Sequence, residues 1–304
     1  MKDRALRMNL WVGSMVLFVS TLLLVLKLSF MKTWFFCFAW WSFILILDSL
    51  NFRKRRTSPL SDSLGNFFLM AYLSVFVWIV FELFNLRLKN WSYHGLPPAR
   101  PERWAGYFVA FASVIPALQE LSLFFKAVLK GKKLSLFRIK PTPSLLRGFV
   151  SLGLVSIFLA LLWPRIFFPL PWICFLFLLE PINYNRKNVS LLRDFEEGEW
   201  IRFWAWVLAG IAAGILWEMW NFWAGSHWEY SLPYLDFGRI FYMPVMGYAG
   251  FLSFSLEIFV TSSFFSDIKA GLKGKKAIGI SIMIILGLLC LAGFYLIDRL
   301  TLVR

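Results

Sequence analysis

The sequence predicts an all-α integral membrane protein of about nine transmembrane helices. Three observations predict it. Hydrophobic residues make up 59% of the 304 and charged residues only 16%, at a mean hydropathy of +0.67, whereas soluble domains carry roughly 45–50% apolar and about 25% charged residues. The apolar residues gather into stretches long enough for helices that cross about 30 Å of hydrocarbon. The charges between those stretches are sided. Too little polar material remains to cover a water-soluble core, which excludes a soluble enzyme, a disordered chain, a coiled coil and a disulfide scaffold. Period-2 alternation is scarce, so an outer-membrane barrel is excluded as well.

The stretches run over 9–28, 33–50, 66–86, 105–128, 145–163, 167–183, 201–223, 239–265 and 277–297, the second and sixth being short for a full crossing. With the N-terminus placed in the cytoplasm, the cytoplasmic segments carry 22 of the 32 Lys and Arg residues and the outer ones 10. Lys and Arg concentrate on the cytoplasmic side of membrane proteins. The chain is therefore expected in a bacterial inner membrane as a multi-pass protein, N-terminus inside and C-terminus outside. The formal charge of +15 then follows from topology and calls for no nucleic-acid partner. The first apolar run is too long for a signal-peptide core and no small-residue cleavage site follows it, so it is expected to stay in the mature protein. Cys37, Cys174 and Cys290 lie inside apolar runs with no metal-type spacing and read as packing residues.

An internal duplication organises the spans. Residues 40–62 and 172–194 align without a gap at an offset of 132, matching Trp40 with Trp172, Asp48 with Glu180, Asn51 with Asn183 and Asp62 with Asp194. The match resumes at 136, with Glu82 on Glu218 and Asn85 on Asn221, and then at 137, with Trp91 on Trp228, Tyr93 on Tyr230 and Glu120 on Glu257. Matched acids, amides and aromatics in one order are far more specific than matched leucines. The expected architecture is two tandem four-helix repeats, 1–135 and 136–270, and an extra C-terminal helix in 271–304. Four spans per unit leave both units pointing the same way, related by a pseudo-two-fold axis along the membrane normal.

Ionisable groups within a span cost roughly 2.5–3.5 kcal/mol each on insertion scales and mark functional sites. Here they come in repeat-related pairs. Glu82 and Glu218 are candidate catalytic residues near the outer ends of the third and seventh spans. Asn85 and Asn221 follow at i+3, on the same helical face. Glu120 and Glu257, in the fourth and eighth spans, are the other candidate acids. A carboxyl away from water tends to stay protonated unless cations or donors hold its charge, and a neutral acid can give or relay a proton. Asp48 and Glu180, beside the basic loops, read better as structural. The competing reading of all these groups is interhelical hydrogen bonding that holds the bundle together.

Trp217 precedes Glu218, and Trp91-Ser92-Tyr93 and Trp228-Glu229-Tyr230 follow the same two spans, each leading into Leu-Pro. Aromatic residues belong at membrane interfaces, yet a fixed spacing behind Glu-x-x-Asn exceeds what an aromatic belt requires. Asn85, Asn221, Trp91, Tyr93, Trp217, Trp228 and Tyr230 are therefore the candidate substrate-binding residues. His94 and His227 occupy these loops without the surrounding acids of a metal site. No phosphate loop, dinucleotide fingerprint, zinc-protease motif or nucleophile elbow occurs, so neither a metal nor a cofactor is expected. Asn188-Val189-Ser190 fits a glycosylation pattern but would face the cytoplasm.

Buried acids among 16 Trp, 34 Phe and 9 Tyr suit protonation of an alkene, because aromatic faces stabilise the resulting cation. The segment Glu82-x-x-Asn85, Trp91-x-Tyr93, then Pro116 to Glu120 and the pair Phe124-Phe125 resembles the lycopene cyclase domain of the small-subunit bacterial and fungal type. The run from Trp217-Glu218 through Trp228-x-Tyr230 to Glu257 is a looser second copy. The likeness covers about 45 residues in each half. That family's double glutamate is here Gln119-Glu120 and Leu256-Glu257, Pro116 stands one residue further from the acid, and the second copy lacks the proline. The resemblance implies a cofactor-free enzyme of carotenoid or isoprenoid metabolism, with Glu120 and Glu257 as acids and Glu82 and Glu218 as partner acids or cation stabilisers. Its partners would be membrane lipids and a hydrophobic substrate. Two other readings stay open: a proton-coupled or small-molecule transporter with paired carboxylates at the repeat interface, and a non-catalytic lipid-binding protein.

Overall fold

A computed structural model describes residues 2–132 and 134–303. In chain order the helices are α1 (Lys2–Val25), α2 (Ser29–Arg55), α3 (Pro59–Asp62), α4 (Leu64–Leu88), α5 (Arg100–Phe111), α6 (Val114–Leu129), α7 (Pro143–Leu162), α8 (Pro164–Phe167), α9 (Cys174–Asn185), α10 (Leu191–Glu197), α11 (Ile201–Trp223), α12 (Tyr248–Gly271) and α13 (Lys276–Leu300). Four short strands interrupt them: β1 (Trp91–His94) between α4 and α5, then β2 (His227–Tyr230), β3 (Arg239–Ile240) and β4 (Met243–Pro244) between α11 and α12. Among the described residues, eight helical segments are long and apolar enough to cross a membrane, α5 and α6 counting as one. The protein is a multi-pass helical membrane protein.

Three predicted spans take a different form, each for a backbone reason. The expected span 167–183 contains Pro169 and Pro171 in its first third. Proline lacks the N–H that an interior helical position needs, and the chain there makes a short helix and a 3₁₀ turn (Leu170–Trp172). Only α9 remains regular, with 12 residues, or about 18 Å of helix. The expected span 105–128 divides at Ala112–Ser113. Pro116, four residues beyond Ala112, cannot donate to that carbonyl. Ser74 of α4 stitches the break, its hydroxyl donating to Phe111 O (2.6 Å) and accepting from Ile115 N–H (3.0 Å). The expected span 239–265 opens with β3 and β4, and its helix starts only at Tyr248.

The core runs through the whole bundle. Trp40 of α2, fully buried, meets Trp217 and Trp220 of α11 edge-on at ring separations of 5.8 and 4.8 Å. The sequence divisions 1–135, 136–270 and 271–304 therefore lie within one packed body. Buried aromatic rings contribute through both area and edge-on geometry. Small residues set the helix separations. A Cβ on Gly210 of α11 would lie 2.4 Å from Phe251 O and 2.7 Å from Ser255 Oγ on α12. We expect Gly210→Ala to push α11 and α12 apart and cost about 1–3 kcal/mol, read as a lower midpoint of thermal unfolding in detergent.

The chain's end is tied back into the fold. The α13 helix lies along α4, where the Tyr72 hydroxyl donates to Met283 O (2.6 Å). Near its last turn Asp298 accepts from Arg103 Nε (2.7 Å) and Nη2 (2.6 Å), Trp104 Nε1 (3.0 Å) and the Tyr107 hydroxyl (3.1 Å). Residues beyond α13 then pair with β1: Tyr93 N–H donates to Thr301 O and Val303 N–H to Tyr93 O, both at 2.9 Å.

Candidate functional site: paired acids around an aromatic seam

The outer loops of the two halves meet as strands. β1 and β2 pair antiparallel, with Trp91 opposite Tyr230 and Tyr93 opposite Trp228. Each candidate aromatic of one loop thus faces its non-equivalent counterpart of the other. Asn85 and Asn221 fold these loops onto their helices and are wholly buried. Asn85 donates to Trp91 O (2.9 Å) and accepts from Asn90 N–H (2.8 Å) and Trp91 N–H (3.1 Å). Asn221 donates to Trp228 O (2.8 Å) and accepts from Trp228 N–H (2.9 Å). The i+3 amide is a fastener for the turn that follows, holding the Trp backbone six residues on at Asn85 and seven residues on at Asn221.

The two outer acids are dressed differently. Glu82 Oε1 accepts from Trp78 Nε1 (2.8 Å), Trp91 Nε1 (3.1 Å) and the Tyr93 hydroxyl. Glu218 Oε1 accepts from the Tyr230 hydroxyl (2.8 Å), which itself receives Trp228 Nε1 (2.7 Å). Four residues before Glu218, where Trp78 stands before Glu82, is Gly214, and there the Phe251 ring lies 2.7 Å from where a Cβ would be. Both acids are buried, and the other oxygen of each has no hydrogen-bond partner.

Three of the donors around these acids, Trp78, Trp91 and Tyr230, line a cleft of about 380 Å³ together with Trp172, Trp217 and Phe254 among others. The acids stand behind its wall. A second cavity, of about 70 Å³, lies on the far side of Trp78 and Trp217 and is bordered by Tyr93 and Trp228. Of the candidate binding residues, Trp91, Trp217 and Tyr230 line the large cleft, Tyr93, Trp217 and Trp228 line the small one, and Asn85 and Asn221 reach neither.

The inner acids sit apart from the outer ones. Glu120 Oε2 accepts from Asn51 Nδ2 (2.6 Å), which also reaches Glu120 O (2.9 Å). Glu120 Oε1, Asn51 Oδ1, Arg55 Nη1 and Ser58 Oγ are all buried there without partners. Asp48 accepts from Leu60 N–H (2.9 Å) and the Ser61 hydroxyl (2.6 Å). Glu180 accepts from Leu192 N–H (2.7 Å), in the place of Leu60, and from the hydroxyl of Ser190 (2.5 Å), whose aligned residue Ser58 makes no such bond. These two acids anchor the connections to α4 and α11. The break in the fourth span does not unite Glu82 with Glu120; each keeps its own shell.

Glu257 differs from the other three candidates. Its Oε1 accepts from Phe175 N–H (2.7 Å), capping from outside a helix whose proline-rich approach supplies no cap of its own. Oε2 has no partner. The side chain lines a cavity of about 200 Å³ between α4, α9 and α12, whose other walls include Val77, Val80, Phe81, Phe175 and Phe265. The buried Glu257 side chain thus borders a space made almost wholly of hydrocarbon. Phe81, Trp172 and Phe254 close its outer end: Phe81 stacks on Trp172 (5.0 Å, 13° between planes), and Phe254 stands edge-on to both at 5.1 and 5.5 Å. The same three rings separate this groove from the large aromatic cleft.

Two participants have no place in the sequence reading. Trp78 lies four residues before Glu82, on one helical face, a spacing visible in the sequence. The N–H that meets Glu257 is main-chain and leaves no signal there. Among the described residues no three His, Cys, Asp or Glu side chains converge as a metal site. His94 and His227 stack on each other at 5.6 Å. No known protein family, curated protein or solved structure matches the chain.

Proposed function

We propose that the protein is a membrane-embedded, cofactor-free enzyme that protonates a hydrophobic, isoprenoid-like substrate, with Glu257 as the acid. One observation carries the reading: a buried carboxyl with one unpartnered oxygen belongs to a side chain that borders an apolar groove walled by phenylalanine rings. Glu257 gives its proton to an alkene carbon; the π pair forms the new C–H bond and leaves a cation on the neighbouring carbon. The faces of Phe81 and Phe175 stabilise that cation. Loss of a proton from an adjacent carbon back to the carboxylate regenerates the acid, and the net change is an isomerisation or ring closure.

The architecture behind this reading is a tandem repeat of four crossings plus one, in which the short α9 serves as the sixth crossing. In its support, Asn85 and Asn221 fasten equivalent turns, Asp48 and Glu180 accept from equivalent N–H groups, and the β1–β2 register exchanges equivalent residues. An antiparallel strand pair has local two-fold axes perpendicular to it, which suits a pseudo-two-fold axis along the membrane normal. The lycopene-cyclase-like pattern and an inner-membrane location with the N-terminus inside belong to the same proposal.

Expression of the wild-type chain in a bacterium that makes polyenes is expected to change the isoprenoid composition of its lipid extract. Glu257→Gln, which keeps an oxygen to cap α9, is expected to leave the extract as in cells without the gene. Identical extracts from wild type and variant would count against the enzyme. Proton-coupled flux in proteoliposomes, lost in Glu82→Gln, would favour a transporter instead.

A further inference from the structure

We propose that the groove holding Glu257 takes a prenyl diphosphate, with the chain along the seam and the diphosphate at the end formed by α4's N-terminus and α12's C-terminus. This names the substrate class for the reading above and rests on it. The observation is a mouth of about 360 Å³ at that end, which changes character along its length. At the rim are Ser63, Asn66, Ser266 and Lys269, with Lys269 Nζ 2.5 Å from Asn66 Oδ1. Further in are Leu73, Ile115 and Phe265. Phe265 also lines the Glu257 groove, and the α4 wall passes from Phe67, Met70 and Leu73 to Phe76, Val77 and Val80 on one helical face. The two cavities thus follow one seam.

Charge and length both select the occupant. Lys269 begins a run with Lys273, Lys275 and Lys276 in the same connection, and the exposed Asn66 amide and the half-buried Ser63 hydroxyl can donate to phosphate oxygens, while the Ser266 hydroxyl donates to Ser262 O (2.9 Å). The acid at the rim, Asp62, is engaged by the Thr57 hydroxyl. Ser262, which also lines the mouth, has a buried hydroxyl without a partner. From Asn66 to Val80 the helix rises about 21 Å, so the ligand must be a long chain with a phosphate at one end only. The chain passes the rings of Phe265, Phe76, Phe81 and Phe175 and ends beside an acid, which an alkene terminus can use and a saturated acyl terminus cannot.

The test is binding of geranylgeranyl diphosphate to the full-length protein in phosphatidylcholine nanodiscs. Geranylgeraniol, inorganic pyrophosphate and dioleoylphosphatidic acid serve as comparison ligands. We expect saturable binding of the diphosphate, at least about tenfold weaker binding of each comparison ligand, and a similar loss for Lys269→Glu and Asn66→Ala. Both substitutions lie at exposed positions, and circular dichroism checks their folding. Equal binding of geranylgeraniol, of pyrophosphate or of phosphatidic acid overturns the proposal, as does full binding by folded Lys269→Glu. If wild type binds no diphosphate while Glu257-dependent lipid changes persist, the headgroup site is wrong and the acid's role stands. If binding follows Lys269 while Glu257→Gln changes no lipid, the site stands and the activity is wrong.

Discussion

Asp298→Ala is expected to lower unfolding stability by about 3–5 kcal/mol, the cost of leaving one member of a buried ion pair without its partner. Arg103, 5% exposed, would keep only the carbonyls of Pro97 (2.7 Å) and Pro98 (3.0 Å) as acceptors. Trp104 and Tyr107 would each lose the acceptor they share with it. The effect reaches the candidate site through the chain's end, because Thr301 and Val303 pair with Tyr93, and Tyr93 donates to Glu82. Urea or thermal unfolding in detergent measures the loss. Asp298→Asn, which keeps one acceptor oxygen, is expected to lose less. Equal stability of Asp298→Ala and wild type would mean that the clamp contributes nothing to closing α13 on the bundle.

The second large effect is chemical. Glu257→Gln is expected to abolish turnover while leaving the midpoint of unfolding within about 1 kcal/mol of wild type, since the amide oxygen can accept Phe175 N–H in place of the carboxyl and only the transferable proton is gone. Glu82→Gln is expected to behave differently. The group accepts three donors at one oxygen, and its loss weakens the outer loop along with any activity. A variant that fails through folding and one that fails through chemistry are thereby distinguished by the same pair of measurements, turnover and thermal stability.

The membrane class was legible because hydrocarbon thickness imposes a run length that composition cannot hide. The pattern of the outer site was legible for a local reason. Asn85 and Asn221 fasten the turns that follow them, so acid, amide, Trp and Tyr follow in one order on one contiguous segment, with one residue more in the second turn. What escaped the sequence was set by contacts between distant segments or by backbone atoms. Arg103 meets Asp298 across 195 positions, and the N–H that engages Glu257 belongs to no side chain. The short α9 and the broken fourth span were foreshadowed by Pro169, Pro171 and Pro116, whose cost to a helix outweighs the apolar continuity around them. The separate shells of Glu82 and Glu120 depend on which neighbours each helix face meets, and helical periodicity fixes the face without naming the neighbour.

In the proposed reaction a proton passes from Glu257 to a carbon of the substrate. The most direct measurement is deuterium incorporation: the purified protein, in nanodiscs loaded with a polyene or prenyl diphosphate, is incubated in deuterated water and the extracted lipid is analysed by mass spectrometry. The account predicts deuterium at a carbon of a rearranged product for wild type, and none for folded Glu257→Gln. A product that forms without deuterium, or labelling that persists in Glu257→Gln, would contradict it.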